Sequence, residues 1–318
     1  MGNHPLIAVV GSSNTDMVIT ASSIPKPGET VVGNQLLMNQ GGKGANQAVA
    51  AARLGGQVSF VGRVGGDIFG EQAEDIIGNF GIDTQFLHKD ASVSTGVALI
   101  TIDKNGQNAI TVAPGANSNV SPHDVDLAKE VLASAKLILT QFEIPKETVW
   151  HLLDIAQEVN TPVLVNPAPL IEGFLPVERL GQATILTPNE HEAAALVGFE
   201  VNSIETAQKA ARFCLDRGVK VAVITLGSRG AVAVTEEESW FQPTFPVLPV
   251  DTVAAGDTFS GAFAVAWAES LPLKRCLKVA AAAAALSITR QGAQQAIPFR
   301  HEVVELMQQH AEITPQAL

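Results

Sequence analysis

The chain has 318 residues, 46% of them hydrophobic, which is enough for one large α/β domain with a sizeable core. A formal charge of −12 excludes nucleic acid or an anionic membrane as the main partner, because both need a basic field. The two cysteines, Cys214 and Cys276, form no Cys-x-x-Cys pair and read as reduced core residues, with a disulfide as the lesser alternative. The N-terminus, Met-Gly-Asn-His-Pro, carries no basic region followed by an apolar one, and no apolar run reaches the roughly eighteen residues of a spanning helix. The expected protein is soluble and cytoplasmic.

Leu6 to Val10 is an apolar run opening onto Gly11-Ser-Ser-Asn-Thr-Asp16, the pattern of a buried strand whose end lies at a ligand-binding sheet edge. Asn14 and Asp16, two apart, share a face in an extended chain and together can donate to and accept from a vicinal diol. An Asx-turn closing the loop accounts for them equally well. Residues 17–38 and 95–112 alternate apolar and polar without a helical period, the second around the hairpin signal Asn105-Gly106, and predict a small β-sheet lid. Lys43 to Leu54 reads as an alanine-rich helix opened by Gly41-Gly42 and closed by Gly55-Gly56. Gly44 stands where a Walker A loop requires Ser or Thr, which argues against a P-loop ATPase. Lys43 and Asn46 lie in the first turn, where either a hinge or a ligand explains the glycines.

From Val58 the chain settles into alternation. Strands are predicted over 58–64, 137–142, 162–166, 184–187, 219–225 and 231–235. Helices are predicted over 69–80, 121–134, 146–159 and 203–217. Apolar strands separated by amphipathic helices mean a largely parallel sheet covered on both faces. Several strands end in polar residues, among them Glu143, Asn166 and Asn189 to Glu192. Any one of these is more often a cap, so the signal is their number. Residues 236–246 read as a hairpin continuation, and helices over 258–269 and 274–289 are apolar enough to be core. No His-x-x-His or His-Glu-x-x-His spacing suggests a protein-ligated transition metal.

Near the C-terminal third, a strand-like run from Phe245 to Val250 turns through Val253-Ala-Ala-Gly256 into an apolar helix. Bare backbone at a helix start leaves unpaired N–H groups and the positive end of the dipole facing outward, an anion site. Asp257 at that turn reads either as a helix cap, with Thr258 as the first helical residue, or as a catalytic carboxylate. The second glycine-rich helix opening, Asn39 to Asn46 with its lysine, favours chemistry.

These segments, taken in order, resemble the ribokinase family of sugar and nucleoside kinases over nearly the whole chain. The matching stretches are Gly11 to Asp16, Pro27 to Thr30, Gly41 to Ala50, Ser94 to Ala98, Asn166 to Pro169, Thr187 to Glu190, Thr225 to Gly230, Asp251 to Phe259 and Thr289 to Gln294. The resemblance implies a single α/β domain over 1–318, a three-layer sandwich with a mostly parallel central sheet and a small β-sheet lid. It implies ATP-dependent phosphorylation of D-ribose at the 5-hydroxyl, with the same chemistry on deoxyribose, fructose or a nucleoside as the alternative. A catalytically silent sugar-binding protein on the same fold is a more distant one. By resemblance Asp257 is the base, with an anion hole of the Ala255, Gly256 and Asp257 amides. The sugar falls to Asn14, Asp16, Gly42, Lys43, Asn46, Glu143 and Asp257, and ATP to Asn189, Thr225, Leu226, Gly227, Ser228, Arg229, Gly230 and Gly256. Glu192 with Asn189 organises Mg2+, mostly through water. A monovalent cation, K+, falls to Asp251, Val253, Ser287, Arg290, Gly292 and Ala296, and a homodimer forms through the lid. Three positions depart from the family pattern: Ala296 where serine is frequent, Ala281 where His or Asn borders adenine, and Ser260 where Asn is common.

Overall fold

The predicted apolar runs pair into a ten-stranded sheet, and the alternating segments pair into a separate sheet of four. The computed structural model describes residues 4–171 and 173–318, so the first three residues, read above for a leader sequence, lie outside them. In chain order the first elements are β1 (Leu6–Val10), β2 (Asn14–Ala21), β3 (Gly33–Gly41), α1 (Lys43–Arg53), β4 (Gln57–Gly65), α2 (Ile68–Asn79) and β5 (Asp83–Asp90). Next come β6 (Gly96–Ile102), β7 (Asn108–Ala113), α3 (Pro122–Leu127), α4 (Lys129–Ser134), β8 (Leu137–Thr140), α5 (Lys146–Glu158), β9 (Val163–Val165) and β10 (Ile185–Leu186). The last are α6 (Glu190–Val197), α7 (Ile204–Leu215), β11 (Val221–Thr225), β12 (Ala231–Val234), β13 (Ser239–Gln242), α8 (Ala255–Ala268), α9 (Leu273–Ser287), α10 (Arg300–Gln309) and β14 (Gln316–Ala317).

The large sheet runs β14-β13-β12-β11-β10-β9-β8-β1-β4-β5. It is parallel from β5 to β11 and antiparallel from there to β14. Its central strands are buried along their length because helices cover both faces. One apolar layer is built on α1, α8, α9 and α10, and the other on α3 to α7. Among the described residues no helix is long and apolar enough to cross a membrane.

The small sheet, β3-β2-β6-β7, is the expected lid. It is longer than predicted, since β2 starts at Asn14 and β3 continues to Gly41, which makes Asn14 and Asp16 part of a lid strand.

Four expectations fail, each for a physical reason. Phe245 to Val250 is not a strand: Pro246 and Pro249 remove two ladder donors, and Leu248 is exposed. The helix expected over 121–134 is two short helices meeting at Ala128. The helix expected from 258 starts at Ala255 with Ala254 as its N-cap at φ 59°, so Asp257 lies within the first turn and is not the cap. Finally, β5, α6, α10 and β14 were not expected. β5 is a polar edge strand without an apolar run, and α6 is only eight residues long.

Candidate active site

Three glycines set the residues expected to face the sugar. Asn14 pairs with Gly41 on one side and Gly96 on the other. A Cβ at Gly41 would stand 2.1 Å from Asp16 Oδ2, and one at Gly96 would stand 2.2 Å from Asn14 Oδ1. Both strands must therefore be bare for the two polar side chains to occupy this face. Gly42 follows at φ 86°, where a side chain is strained, and starts α1. The first turn of α1 is then anchored by Glu143, whose Oε2 accepts the Lys43 amide at 2.9 Å and the Ser12 hydroxyl at 2.6 Å. Asn117 fixes Asn14: its Nδ2 donates to Asn14 Oδ1 at 2.7 Å, and its own Oδ1 accepts the Ser13 amide at 2.9 Å. That leaves the Asn14 amino group free to donate. A cavity of about 400 Å³ opens here, with Asn14, Asn117 and Glu143 on one wall and Phe142, Ile144 and Phe174 among its apolar lining.

Asp257 lies deeper, 6% exposed. Its Oδ2 accepts from Asn46 Nδ2 at 2.9 Å and its Oδ1 from Gln47 Nε2 at 3.0 Å, both donors coming from α1. The Thr258 amide bonds the Ala254 carbonyl, and the Ala255 amide makes a long turn contact of 3.3 Å to Thr252. The Gly256 and Asp257 amides have no protein acceptor among the described residues. A Cβ at Gly256 would meet nothing within 4 Å, so this part of the helix start faces open space. The anion site read from the sequence is present, with two free amides where three were expected.

A second cavity, about 230 Å³, joins Lys43 and Asp257 to Asn189, Glu192, Thr225 and Gly256. Asn189 and Glu192 form a reciprocal cap on α6. Asn189 Oδ1 accepts the Glu192 amide at 2.9 Å, and Glu192 Oε2 accepts the Asn189 amide at 2.8 Å. The cap is therefore present, and both of its residues line the cavity. Thr225 bridges to Asn189 at the end of β11. The loop after it turns through Gly227 and Gly230, both at positive φ, and Arg229 is tied to Glu190 at 3.3 Å and to the Asn202 carbonyl. Leu226 is 1% exposed and belongs to the core, so only its backbone can line a ligand site. Ser260, at the third departure from the family pattern, meets the Thr187 hydroxyl at 3.2 Å.

The candidate cation residues gather where two loops meet. Asp251 accepts the Val253 amide at 3.0 Å and the Gly292 amide at 3.0 Å, which ties 251–253 to 290–292. The Arg290 guanidinium is paired with Glu302, so Arg290 has only its backbone to offer. Ser287 and Ala296 are buried. Among the described residues no cluster of three or more His, Cys, Asp or Glu side chains could hold a metal ion by itself.

The charges of the two cavities are coupled. Burial, then Glu143 and Asp257, push the Asp16 carboxyl up to about 7. Asp257 chiefly holds Lys43 protonated above its ordinary range, against the effect of burial. Burial raises Glu192, although the Asn189 amide opposes it. Gln47 and Asn117 were not singled out in the sequence. Gln47 stands at i+4 from Lys43, on the same helix face, which was a usable signal. Asn117 comes from a loop after β7 and gave none.

Residues 4–300 match the model of the pfkB family carbohydrate kinases. A ribokinase of Haemophilus influenzae is 39% identical over 302 residues, covering 95% of this chain and 98% of that one. A deoxyribokinase of Salmonella typhimurium is 37% identical, covering 92% of this chain and 95% of its own. Among solved structures, a ribokinase of Arabidopsis thaliana complexed with ribose and ATP superposes with a TM-score of 0.88 at 33% identity, over 96% of this chain and 99% of that one.

Proposed function

Because the chain belongs to the pfkB family of carbohydrate kinases, we propose that it transfers the γ-phosphoryl group of ATP to the 5-hydroxyl of D-ribose, giving D-ribose 5-phosphate and ADP. The observation that carries this reading is the setting of Asp257, a buried carboxylate held at both oxygens by side-chain amides, beside the Gly256 and Asp257 backbone amides, which have no acceptor among the described residues. The named activities of the H. influenzae and A. thaliana relatives support the substrate pair.

Asp257 takes the hydroxyl proton as the sugar oxygen bonds to the γ-phosphorus and the bond from that phosphorus to the bridging oxygen breaks. ADP leaves with the bridging oxygen, and the proton passes from Asp257 to water. The Gly256 and Asp257 amides donate to the transferred group, joined by Ala255 if its long contact to Thr252 opens. Asn14, Asp16, Gly42, Lys43, Asn46 and Glu143 hold the sugar. Asp16 accepts no hydrogen bond from the described residues, so it suits a vicinal diol, and a sugar lacking one hydroxyl leaves it unsatisfied. This favours ribose over the deoxyribose named for the Salmonella relative.

Asn189, Thr225 and the loop 226–230 bind ATP. Lys43 is one cation against Asp257, Glu143 and Glu192, so the triphosphate enters best with a divalent ion. Glu192 and Asn189 fit Mg2+ held through water, which supplies charge neutralisation to the phosphates when bound. The carbonyl-rich loops joined by Asp251 fit K+, with Val253, Ser287, Arg290 and Gly292 as further ligands and no hydroxyl from Ala296. The buried free thiols Cys214 and Cys276 support a cytoplasmic setting.

A coupled ADP-release assay with ribose, 2-deoxyribose, fructose and adenosine, each with K+ or Na+ alone, tests the reading. Fast turnover on ribose is expected, with Asp257→Asn abolishing it while ribose still binds. Normal turnover by that variant would remove Asp257 from the role of base.

A further inference from the structure

Behind Asp257 runs a buried chain of side-chain amides. Gln47 Nε2 lies 3.0 Å from Asp257 Oδ1 and 3.0 Å from Asn166 Oδ1, Asn166 Nδ2 lies 2.9 Å from the Thr187 carbonyl, and Gln141 Nε2 lies 2.7 Å from Gln47 Oε1. The two ends of this chain decide the orientation of every member. The Thr187 carbonyl can only accept, so Asn166 must turn its amino group there and its oxygen toward Gln47. The ionised Asp257 can also only accept. Gln47 must therefore use one N–H on Asn166 and the other on Asp257, and its oxygen takes the Gln141 proton. No freedom is left at Gln47, which is fully buried and reaches neither cavity.

We propose that Gln47 is a positioning residue for the phosphoryl transfer. It ties the Oδ1 edge of Asp257 to the ends of β8, β9 and β10, and by donating to that oxygen it fixes the orientation of the carboxylate. The proposal rests on Asp257 being the base. Asn46 on the other oxygen also belongs to the sugar site, whereas Gln47 lines neither cavity and acts through the groups it holds, Asp257 and Asn166.

The experiment compares Gln47→Leu and Gln47→Glu with the unaltered protein, measuring kcat and KM, ribose affinity by calorimetry, and thermal unfolding. For Gln47→Leu a fall in kcat of roughly 10- to 100-fold is expected. Ribose affinity should stay within about three-fold, since no sugar contact is removed. Gln47→Glu keeps the volume and carries the test if the leucine variant does not fold; it should lose at least as much kcat, because its carboxylate faces two acceptors. A kcat within about two-fold, or a loss of ribose affinity as large as the loss of kcat, would overturn the proposal. Asp257→Asn separates the two readings. If it retains turnover the base assignment itself fails, and if it is inactive while the Gln47 variants are normal, only the role of Gln47 fails.

Discussion

A carboxyl that is nearly buried, accepts no hydrogen bond from the described residues and stands near two other carboxylates is costly to ionise, and Asp16 is such a group. Its proton affinity is raised from 3.8 to about 7 in the folded chain. Between those two values the folded state keeps a proton that the unfolded state has lost, so stability through this group falls as pH rises from about 4 to 7 and the penalty is complete above that. Asp16→Asn should therefore raise the unfolding midpoint of the ligand-free protein by an amount that grows across this window and then levels off, while ribose binding is lost. Thermal unfolding followed against pH checks it, and a gain independent of pH would count against the assignment. The same residue makes sugar binding release protons near neutral pH, because hydroxyl donors favour the carboxylate. Its position, two residues after Asn14 at a strand end, drew attention to it in the sequence but left an Asx-turn equally open, and the family resemblance supplied the rest. Its surroundings were not legible there, since they depend on β3 presenting Gly41 beside it.

At the scale of elements, α8 carries two glycines whose replacement by alanine should act in opposite directions. Alanine is the better helix former by about 0.5–1 kcal/mol, so each change is favourable before contacts are considered. At Gly256 a Cβ meets nothing within 4 Å, and at Gly261 it would stand 2.6 Å from Ala50 Cβ and 2.7 Å from the Gln47 carbonyl. Gly256→Ala should keep or raise the unfolding midpoint and still lower kcat, because the methyl enters the space offered to the phosphoryl group. Gly261→Ala should lower both, by pushing α8 away from α1 and Asp257 away from Asn46 and Gln47. Paired melting and kinetic measurements decide the matter, and a destabilised Gly256→Ala would show that the turn is closed. The elements most legible in the sequence were the long periodic ones, α1, α5, α7 and α9. The short helix α6 is not legible in the sequence although Asn189 and Glu192 spell its cap, because eight residues are too few for a helical period to stand out. The helix α10 was missed although Val303, Leu306 and Met307 recur at helical spacing. Phe245 to Val250 misled in the other direction, since its hydrophobicity outweighed its two prolines.

For the whole molecule, the large sheet is covered on both faces and the lid is not. Residues opposite one another in a ladder share a face, so Met17, Met38 and Leu99 lie together, with Ile19 and Leu36 beside them. Ile19, Leu36, Met38 and Leu99 are each more than two-fifths exposed, on the face opposite Asp16. If the homodimer implied by the family resemblance forms through the lid, this is the face a second copy would cover. Leu99→Asp should then yield monomers in sedimentation measurements and weaken ribose binding, whereas a protein that is monomeric before the change would end that assignment. The sandwich and the lid were readable because each follows from periodicity. The meeting of Asp16, Asp257 and Gln47 was not, because it joins three separate stretches of chain through strand order. Every passage of the chain between lid and body falls at neighbouring points, with Asn14 in register with both Gly41 and Gly96 and Ala113 opposite Val97. The lid is thereby a cassette with fixed terminals, and descent with modification can rewrite what the enzyme recognises without touching the apparatus that moves phosphate.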